Sequence, residues 1–158
     1  MPRDYKPVGF VHRGIFMDDD DFFTIEDDGL LIGFNERVTE AVIPDYVTGI
    51  GEEAFRQCAS LKSVTIPASV KLIDYAAFQE CESLENVEIA EGVTEIGHYA
   101  FDGCKSLKSV TIPASVKKIL EGAFQGCTSL EEVTLLGNPE MQDKVFKDCP
   151  SFKGVTKG

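Results

Sequence analysis

The sequence predicts a repeat solenoid, and three observations lead to this prediction. Cysteines recur at spacings of 23, 23, 23 and 22 residues: Cys58, Cys81, Cys104, Cys127 and Cys149. A phenylalanine lies three residues before each cysteine, at the same spacings. The segment SLKSVTIPASVK occurs twice unchanged, at residues 60–71 and 106–117. Self-similarity at a period of 20–50 residues is typical of a solenoid, in which each coil buries its apolar rows against its neighbours.

The elements of one coil can be predicted in order. Residues 63–66 alternate between polar and apolar side chains and are rich in β-branched residues. This pattern predicts a short strand. Pro67 and Pro113 end such strands, because proline has no N–H to give to a ladder. Residues 70–73 predict a second extended piece on the other side of the coil. Residues 76–81, with Ala, Phe and Cys on one face, predict a single helical turn.

These residues resemble the BspA-like class of leucine-rich repeat, with its pattern A-F-x-x-C-x-x-L-x-x-V-x-I-P-x-x-V-x-x-I-G, over about residues 41–155. The resemblance implies a right-handed solenoid with a parallel sheet on the concave side and turns or short 3-10 segments on the convex side. Ala90 and Leu136 depart from the pattern where it has the strand-ending proline. BspA-like proteins include bacterial surface and adhesion proteins, so the resemblance also implies a contact function.

The N-terminal part of the chain predicts a cap for the first coil. Residues 21–26 and 30–34 are extended in pattern and flank Asp27, Asp28 and Gly29, a hairpin signal. We therefore expect an acidic capping region at residues 1–40, and a solenoid of about five coils at residues 41–158, within one structural domain.

The net charge of −12 excludes some classes of binding partner, and most of it lies in the N-terminal third of the chain. Residues 1–53 hold 13 acidic and 4 basic side chains, a net of −9. This balance argues against binding to nucleic acid or to an anionic membrane, since both need clustered Lys and Arg. No run of about 18 apolar residues predicts a membrane span. The start MPRDYKPVGFVHRGI has no apolar export signal, which predicts a cytoplasmic protein, or a surface or secreted one if the chain is a fragment of an exported protein.

The acidic patch of this N-terminal part is a candidate recognition site. Its members are Asp18, Asp19, Asp20, Asp21, Glu26, Asp27 and Asp28. Carboxylates at alternate positions suit Ca²⁺, but counting from Asp18 the sixth and twelfth places of an EF-hand loop hold Phe23 and Gly29. Three interpretations stay open: a solvated loop, a contact for a basic partner and a weak divalent-cation site.

Catalysis, metals and cofactors are not predicted. The cysteines share one phase of the repeat, so the repetition explains them as a buried row of reduced thiols. Zinc is a poor fit, because the shortest Cys–Cys spacing is 22 and the histidines are His12 and His98. The serines that precede each leucine are equally periodic, whereas a catalytic residue occurs once. The sequence predicts no enzyme, no cofactor and no metal site.

The outward positions of the concave strands are the candidate binding residues. They are Ser63, Thr65, Asn86, Glu88, Ser109, Thr111, Glu132 and Thr134. A third row, at Lys62, Glu85, Lys108 and Glu131, alternates in sign and predicts charge pairs between coils. The face has no Trp, Tyr or Arg, and five strands project only about 240 Å². A stable interface takes about 800 Å² per partner, so other surfaces must contribute.

The sequence therefore predicts a non-catalytic protein-interaction module. Its partner is a protein or peptide, with a basic face, bound through the concave strands and the acidic patch. One alternative is a structural element that forms homo-oligomers end to end through its C-terminal coil, where Phe152 and Val155 have no obvious cover. Another is a surface adhesion protein within a longer exported parent.

Overall fold

The computed structural model describes residues 23–34 and 37–158, and this part of the chain is built from strands and turns without a helix. The strands are β1 (Phe23–Ile25), β2 (Leu30–Phe34), β3 (Glu40–Val42), β4 (Gly49–Ile50), β5 (Ser63–Ile66), β6 (Leu72–Ile73), β7 (Asn86–Ile89), β8 (Glu95–Ile96), β9 (Ser109–Ile112), β10 (Lys118–Ile119), β11 (Glu132–Leu135), β12 (Glu140–Met141) and β13 (Gly154–Lys157). From β3 onward, longer strands alternate with two-residue strands, which confirms the predicted solenoid.

Each coil contributes one longer strand and one two-residue strand. We number the coils 1 to 5; their residues are 40–62, 63–85, 86–108, 109–131 and 132–153. The two-residue strands form a continuous seven-stranded sheet with the hairpin, in the order β1-β2-β4-β6-β8-β10-β12. Its solenoid pairs are parallel and repeat the same register, as in Leu72↔Glu95 and Ile73↔Ile96. The second extended piece predicted for each coil is therefore present.

The N-terminal hairpin extends this seven-stranded sheet. Strands β1 and β2 pair antiparallel around a turn in which Gly29 has a φ of 91°, a conformation that glycine adopts without strain. Strand β2 then pairs parallel with β4, with Leu30 opposite Gly49. Phe34 packs on the ring of Phe55 in coil 1, at a centroid distance of 4.6 Å. The hairpin thus covers one end of the sheet and of the core, as predicted.

The segments that precede each cysteine are hydrogen-bonded turns, not the single helical turn expected. In coil 2 the Gln79 N–H donates to Ala76 O at 3.1 Å, but the Phe78 N–H donates to Ala100 O of the next coil at 2.7 Å. Ala76 and Glu80 have left-handed φ values of 52° and 61°. These residues interrupt the helical conformation and turn alternate N–H groups towards the neighbouring coil.

The core is a set of in-phase apolar rows between the two layers of strands. Phe55, Phe78, Phe101 and Phe124 are fully buried. Their rings stack along the solenoid; those of Phe78 and Phe101 are parallel, with centroids 5.1 Å apart. Val, Ile, Leu and Cys rows fill the rest of the core. Each row repeats because every coil buries the same positions against its neighbours.

The longer strands pair in parallel, as expected, but their ladders are interrupted once. They form two three-stranded sheets, β3-β5-β7 and β9-β11-β13. Strands β7 and β9 are neighbours, but no ladder joins them. The two coils stay connected elsewhere, because β8 pairs with β10 and the Tyr99 N–H donates to Glu121 O at 3.0 Å. We call the gap between β7 and β9 the sheet break.

Candidate binding face

The eight predicted binding residues all lie at outward positions of the longer strands, which we call the strand face. In β5, Val64 and Ile66 are each 1% exposed, so the alternating Ser63 and Thr65 point away from the core. The other six are Asn86, Glu88, Ser109, Thr111, Glu132 and Thr134, at the equivalent positions of β7, β9 and β11.

The sheet break divides the strand face into two groups. On one side Ser63 is in register with Asn86, and Thr65 with Glu88. On the other side β9 and β11 hold Ser109 opposite Glu132, and Thr111 opposite Thr134. Asn86 and Glu88 thus lie on the last strand of one three-stranded sheet, next to β9 of the other.

Few of these side chains are engaged within the protein. The Glu132 carboxylate accepts a hydrogen bond from the Thr156 hydroxyl at 2.8 Å. The side chains of Asn86 and Glu88 are exposed and form no hydrogen bond with the described residues. Glu88 is also the single acidic member of a row otherwise occupied by Val42 and threonines. Its carboxylate is therefore available to a ligand.

A groove of about 360 Å³ follows the sheet break, lined by residues 86–89 and 109–111. Val87 and Ile89 are partly exposed along it, whereas their counterparts Val64 and Ile66 are buried. Apolar side-chain surface of coil 3 is therefore partly exposed beside the groove.

A side-chain clamp joins coils 3 and 4 just beyond the sheet break. The Glu91 carboxylate accepts hydrogen bonds from the N–H groups of Ala114 and Ser115, at 2.8 and 3.0 Å. The Ser115 hydroxyl accepts from the Gly92 N–H at 2.9 Å and donates to Val93 O at 2.7 Å. These bonds hold the two coils together where the strands end.

The third row of the strand face does not form the predicted charge ladder. Lys62, Glu85 and Lys108 make no ion pair with another described residue within 4.0 Å. Glu131 pairs instead with Lys153 of its own row, at 3.8 Å. These side chains are exposed, and in water a pair of this kind gains too little energy to fix two long side chains.

The acidic patch is described only in part. Asp18, Asp19, Asp20 and Asp21 lie outside the described residues. Glu26, Asp27 and Asp28 are exposed at the hairpin turn, where Asp28 Oδ1 accepts a hydrogen bond from the Leu30 N–H at 3.1 Å. No group of three or more His, Cys, Asp or Glu in the described part of the chain is arranged to hold a metal ion.

The five cysteines are free thiols, and four of them are buried. Each thiol from Cys81 onward donates to the carbonyl oxygen of a phenylalanine in the preceding coil, as Cys104 does to Phe78 O at 3.2 Å. Burial raises the pKa of Cys104 and of Cys127. Hydrogen bonding with Cys58, together with burial, raises the pKa of Cys81. Cys81, Cys104 and Cys127 are therefore neutral, poorly nucleophilic thiols.

The C-terminal coil exposes apolar side chains at the end of the solenoid. Leu136, Met141 and Val155 are 46%, 39% and 38% exposed. Strands β12 and β13 form the outer edges of their sheets. Apolar surface and unpaired strand edges thus coincide at this end.

The sequence interpretation missed the sheet break beside Val87 and Ile89 and the clamp at Glu91. A signal was present, because coil 3 lies between the two identical segments and departs from both. It has Glu88 where they have threonine and Ala90 where they have proline. The sequence interpretation treated Ala90 as a change at the end of one strand and Glu88 as a binding-face residue, and did not connect them with the pairing of β7 and β9.

Comparison with solved structures finds bacterial leucine-rich repeat proteins. The chain is 29% identical to a leucine-rich repeat protein of T. pallidum, with a TM-score of 0.80. This match covers 88% of the present chain and 70% of the T. pallidum protein. It is also 29% identical to a leucine-rich cell surface protein of Faecalibacterium prausnitzii, with a TM-score of 0.75 over 86% of this chain and 37% of that one. The pneumococcal vaccine antigen PcpA shares the fold at 19% identity, with a TM-score of 0.73 over 90% of this chain and 38% of that one.

The chain thus spans well under half the length of two of these three proteins. No curated protein sequence matched the chain. Among the described residues, no helix has the length and apolar character needed to cross a membrane.

The family model for the BspA type leucine-rich repeat region matches residues 34–153 in six copies. Six copies agree with the six longer strands, of which β3 opens coil 1 and β13 follows coil 5. The resemblance of the cysteine, phenylalanine and leucine rows to this repeat is thereby confirmed. Because the match covers more than half of the chain, the protein belongs to the BspA-type leucine-rich repeat family.

Proposed function

We propose that this protein is a non-catalytic interaction module that binds a protein or peptide partner through the strand face. The observation that carries the proposal is the contrast between the two sides of the longer strands. Their inward positions are occupied by one repeated apolar set, whereas the outward positions of β5, β7, β9 and β11 are polar, and Asn86 and Glu88 of coil 3 depart from the serine and threonine of coils 2 and 4. Exposed polar side chains that the solenoid does not use for its own packing are available to a partner.

Charge favours a partner with a basic face. Glu85 at the end of coil 2 and Glu88 in coil 3 are exposed and make no ion pair with a described residue. The hairpin turn adds Glu26, Asp27 and Asp28 at the N-terminal end. Opposite charge on a partner accelerates association and fixes its orientation, with a strength that falls as salt rises.

A pair of triple variants tests this proposal. N86A/E88A/E132A alters the strand face, and the matched control E52A/Q57A/E82A removes two carboxylates and one amide from the turns on other sides of the coils. Partners are captured with the unchanged protein and their affinities measured with each variant. We expect a saturable partner whose binding is lost with the strand-face variant and kept with the control. Retention of every partner by the strand-face variant would contradict the proposal.

A second proposed function is end-to-end self-association through the C-terminal coil. Leu136, Met141 and Val155 provide the apolar surface, and the outer edges of β12 and β13 provide unpaired main-chain groups. Association of two such ends would bury both. Sedimentation equilibrium should then show a concentration-dependent dimer that V155E abolishes, and a monomer at millimolar concentration would refute this function.

The cell-surface relative from F. prausnitzii supports a third proposal, that the module is displayed on a cell surface within a longer protein. The partner would then lie on another cell or in the surrounding matrix. Extending the gene sequence on both sides of this region tests it: an export signal is expected, and an uninterrupted gene without one would contradict it.

A further inference from the structure

We propose that the turn after β5 binds a carboxylate group, carried by a small organic acid or by an acidic residue of a protein partner. The turn consists of Pro67, Ala68 and Ser69, and we call it the coil-2 turn. It lies outside the strand face, and its ligand is opposite in charge to the basic partner proposed above. This binding therefore goes beyond the proposed function and does not depend on it. A second turn of identical sequence in the same chain points to the site.

The second turn lies at the equivalent point of coil 4. Residues 60–71 and 106–117 are identical, so Pro113, Ala114 and Ser115 form the equivalent coil-4 turn after β9. The same hydrogen bond closes both turns. The N–H of the valine after the serine donates to the proline carbonyl, at 3.1 Å in coil 2 and 3.2 Å in coil 4. The two turns therefore present the same main-chain donors.

The coil-4 turn is occupied by a carboxylate of the protein itself. In the clamp described above, Glu91 Oε2 accepts from the Ala114 N–H at 2.8 Å, and Glu91 Oε1 accepts from the Ser115 N–H at 3.0 Å. One oxygen for each donor is the arrangement that suits a planar, bidentate acceptor. The turn sequence Pro-Ala-Ser thus binds a carboxylate in coil 4.

The same donors of the coil-2 turn have no partner among the described residues. Neither the Ala68 N–H nor the Ser69 N–H forms a hydrogen bond there. The Ser69 hydroxyl oxygen is buried and likewise has no partner in the described part of the chain. In coil 4 the Ser115 hydroxyl bonds to the Gly92 N–H and to Val93 O. Unpaired donors beside a buried polar atom favour a ligand that accepts hydrogen bonds.

The residue one coil earlier explains why the coil-2 turn is open. Glu91 lies 23 residues before Ala114, and Asp45 lies at the same distance before Ala68. Aspartate is one methylene shorter than glutamate. The Asp45 side chain is exposed and forms no hydrogen bond or ion pair with a described residue. The clamp that fills the coil-4 turn is therefore missing from coil 2, where Ala68 is exposed to an approaching ligand.

Charge at the coil-2 turn favours an anion but keeps its binding weak. The Lys71 ammonium donates to Ala68 O at 3.3 Å and so lies at the turn. The Asp45 carboxylate, in the preceding coil, partly offsets this positive charge. For a free small acid, two hydrogen bonds in water with partly cancelled charge correspond to a Kd on the order of 1–10 mM.

Titration of the whole chain with sodium acetate, followed by amide NMR, tests the site. Sodium chloride keeps the total salt concentration constant. We expect the Ala68 and Ser69 amide protons to shift downfield and to saturate, because a carboxylate accepts from both. The Ala114 and Ser115 amides should not respond, since Glu91 already occupies them. No saturable shift in the coil-2 turn, or equal shifts in both turns, would overturn the proposal.

Two variants at the clamp positions close one turn and open the other. D45E supplies the missing methylene, so its coil-2 amides should take on the shifts of the coil-4 amides without acetate and lose their response to it. E91A empties the coil-4 turn, whose amides should then respond to acetate. Acetate should also raise the melting temperature of E91A more than that of the unchanged protein. A full acetate response of the coil-2 turn in D45E would contradict the proposal, and this variant tests it even where E91A is too unstable for NMR.

A pair of lysine variants separates the local charge of the coil-2 turn from the net charge of the protein. K71Q removes the ammonium at the coil-2 turn and should weaken acetate binding about threefold at low salt. K117Q is the matched change beside the coil-4 turn and should have little effect on binding at coil 2. Equal effects of the two variants would assign acetate binding to net charge and would contradict a site at the coil-2 turn.

A pair of peptide probes identifies the source of the carboxylate. An acetylated and amidated tripeptide with glutamate between two glycines presents an acidic side chain, and its glutamine version is the neutral control. If the glutamate peptide binds the coil-2 turn at least about threefold more tightly than acetate, the ligand is an acidic residue of a protein partner; equal affinity indicates a small organic acid. Equal binding of the glutamine peptide would overturn the proposal, because a carboxylate would then not be needed. N86A/E88A/E132A should leave acetate binding unchanged, so failure of strand-face binding leaves this site standing.

Discussion

The thiol of Cys104 donates a hydrogen bond to the carbonyl oxygen of Phe78 in the preceding coil, over 3.2 Å. Cys127 and Phe101 repeat this relationship one coil later, at 3.1 Å. Phenylalanine stacking and cysteine hydrogen bonding therefore connect the same pairs of coils. The cysteine row therefore provides polar contacts between coils within the core.

Buried thiols predict a loss of stability at alkaline pH. Burial raises the pKa of Cys104 and Cys127 above the ordinary value of 9.0, so the unfolded chain releases these protons first as the pH rises. Each thiol should then lower the free energy of unfolding by about 1.4 kcal/mol per pH unit above pH 9. Urea denaturation between pH 8 and about pH 10.5 measures this slope.

Replacing Cys104 by alanine should reduce that slope by the contribution of one thiol, although the variant is less stable at pH 8. An unchanged slope in Cys104→Ala would mean that groups other than the thiols govern alkaline unfolding. The partly exposed Cys149 should react with iodoacetamide before the buried cysteines do.

Replacing a stacked phenylalanine by alanine should lower the free energy of unfolding most in the middle of the stack. Phe101 is fully buried between the rings of Phe78 and Phe124, at 5.1 and 5.2 Å, so Phe101→Ala should lower the free energy of unfolding by about 3–5 kcal/mol. Phe146 is only partly buried near the C-terminal end, and Phe146→Ala should cost about half as much. Chemical denaturation measures the free energy of unfolding of both variants. Equal losses would contradict a larger contribution from the middle of the stack.

Two glycines separate the effect of backbone strain from that of a steric clash. Gly92 and Gly154 have similar φ values of 135° and 132°. A Cβ at Gly92 would lie 2.2 Å from Ala68 O, whereas a Cβ at Gly154 would meet no atom within 4 Å. Gly154→Ala should cost about 1–3 kcal/mol from strain alone.

Gly92→Ala should cost at least about 2 kcal/mol more than Gly154→Ala, because the main chain of coil 2 must also move. Thermal unfolding followed by circular dichroism gives both values. If the two variants melt together, the close approach of coils 2 and 3 at Gly92 is not maintained in solution.

The Glu91 clamp should stabilise the junction of coils 3 and 4. Glu91→Ala removes the acceptor of two N–H groups and should cost about 1.5–3 kcal/mol. Glu91→Gln keeps one acceptor oxygen and should lose about half of this. Glu88→Ala, which removes a carboxylate without internal hydrogen bonds, should change the free energy of unfolding by less than about 0.5 kcal/mol. A loss in Glu88→Ala equal to that in Glu91→Ala would assign the effect to charge alone.

The arrangement of the candidate site could be predicted only in part. Alternation in residues 63–66 was enough to place Ser63 and Thr65 on the outside, and the 23-residue period carried the same assignment to Asn86 and Glu88. The expected charge ladder failed, because attraction between exposed side chains is too weak to be inferred from their spacing.

The sequence by itself determined the solenoid, its core rows and its N-terminal hairpin, because these depend on local alternation and on a period that every coil repeats. Tertiary structure alone decided that β7 and β9 do not pair. Pro67 and Pro113 occupy equivalent positions after β5 and β9, yet β3 pairs with β5 whereas β7 does not pair with β9, so the local sequence at the proline does not decide it. Two strands form a ladder only when the main chains of both coils lie at the right distance and orientation. The sequence of one repeat does not specify this relative position.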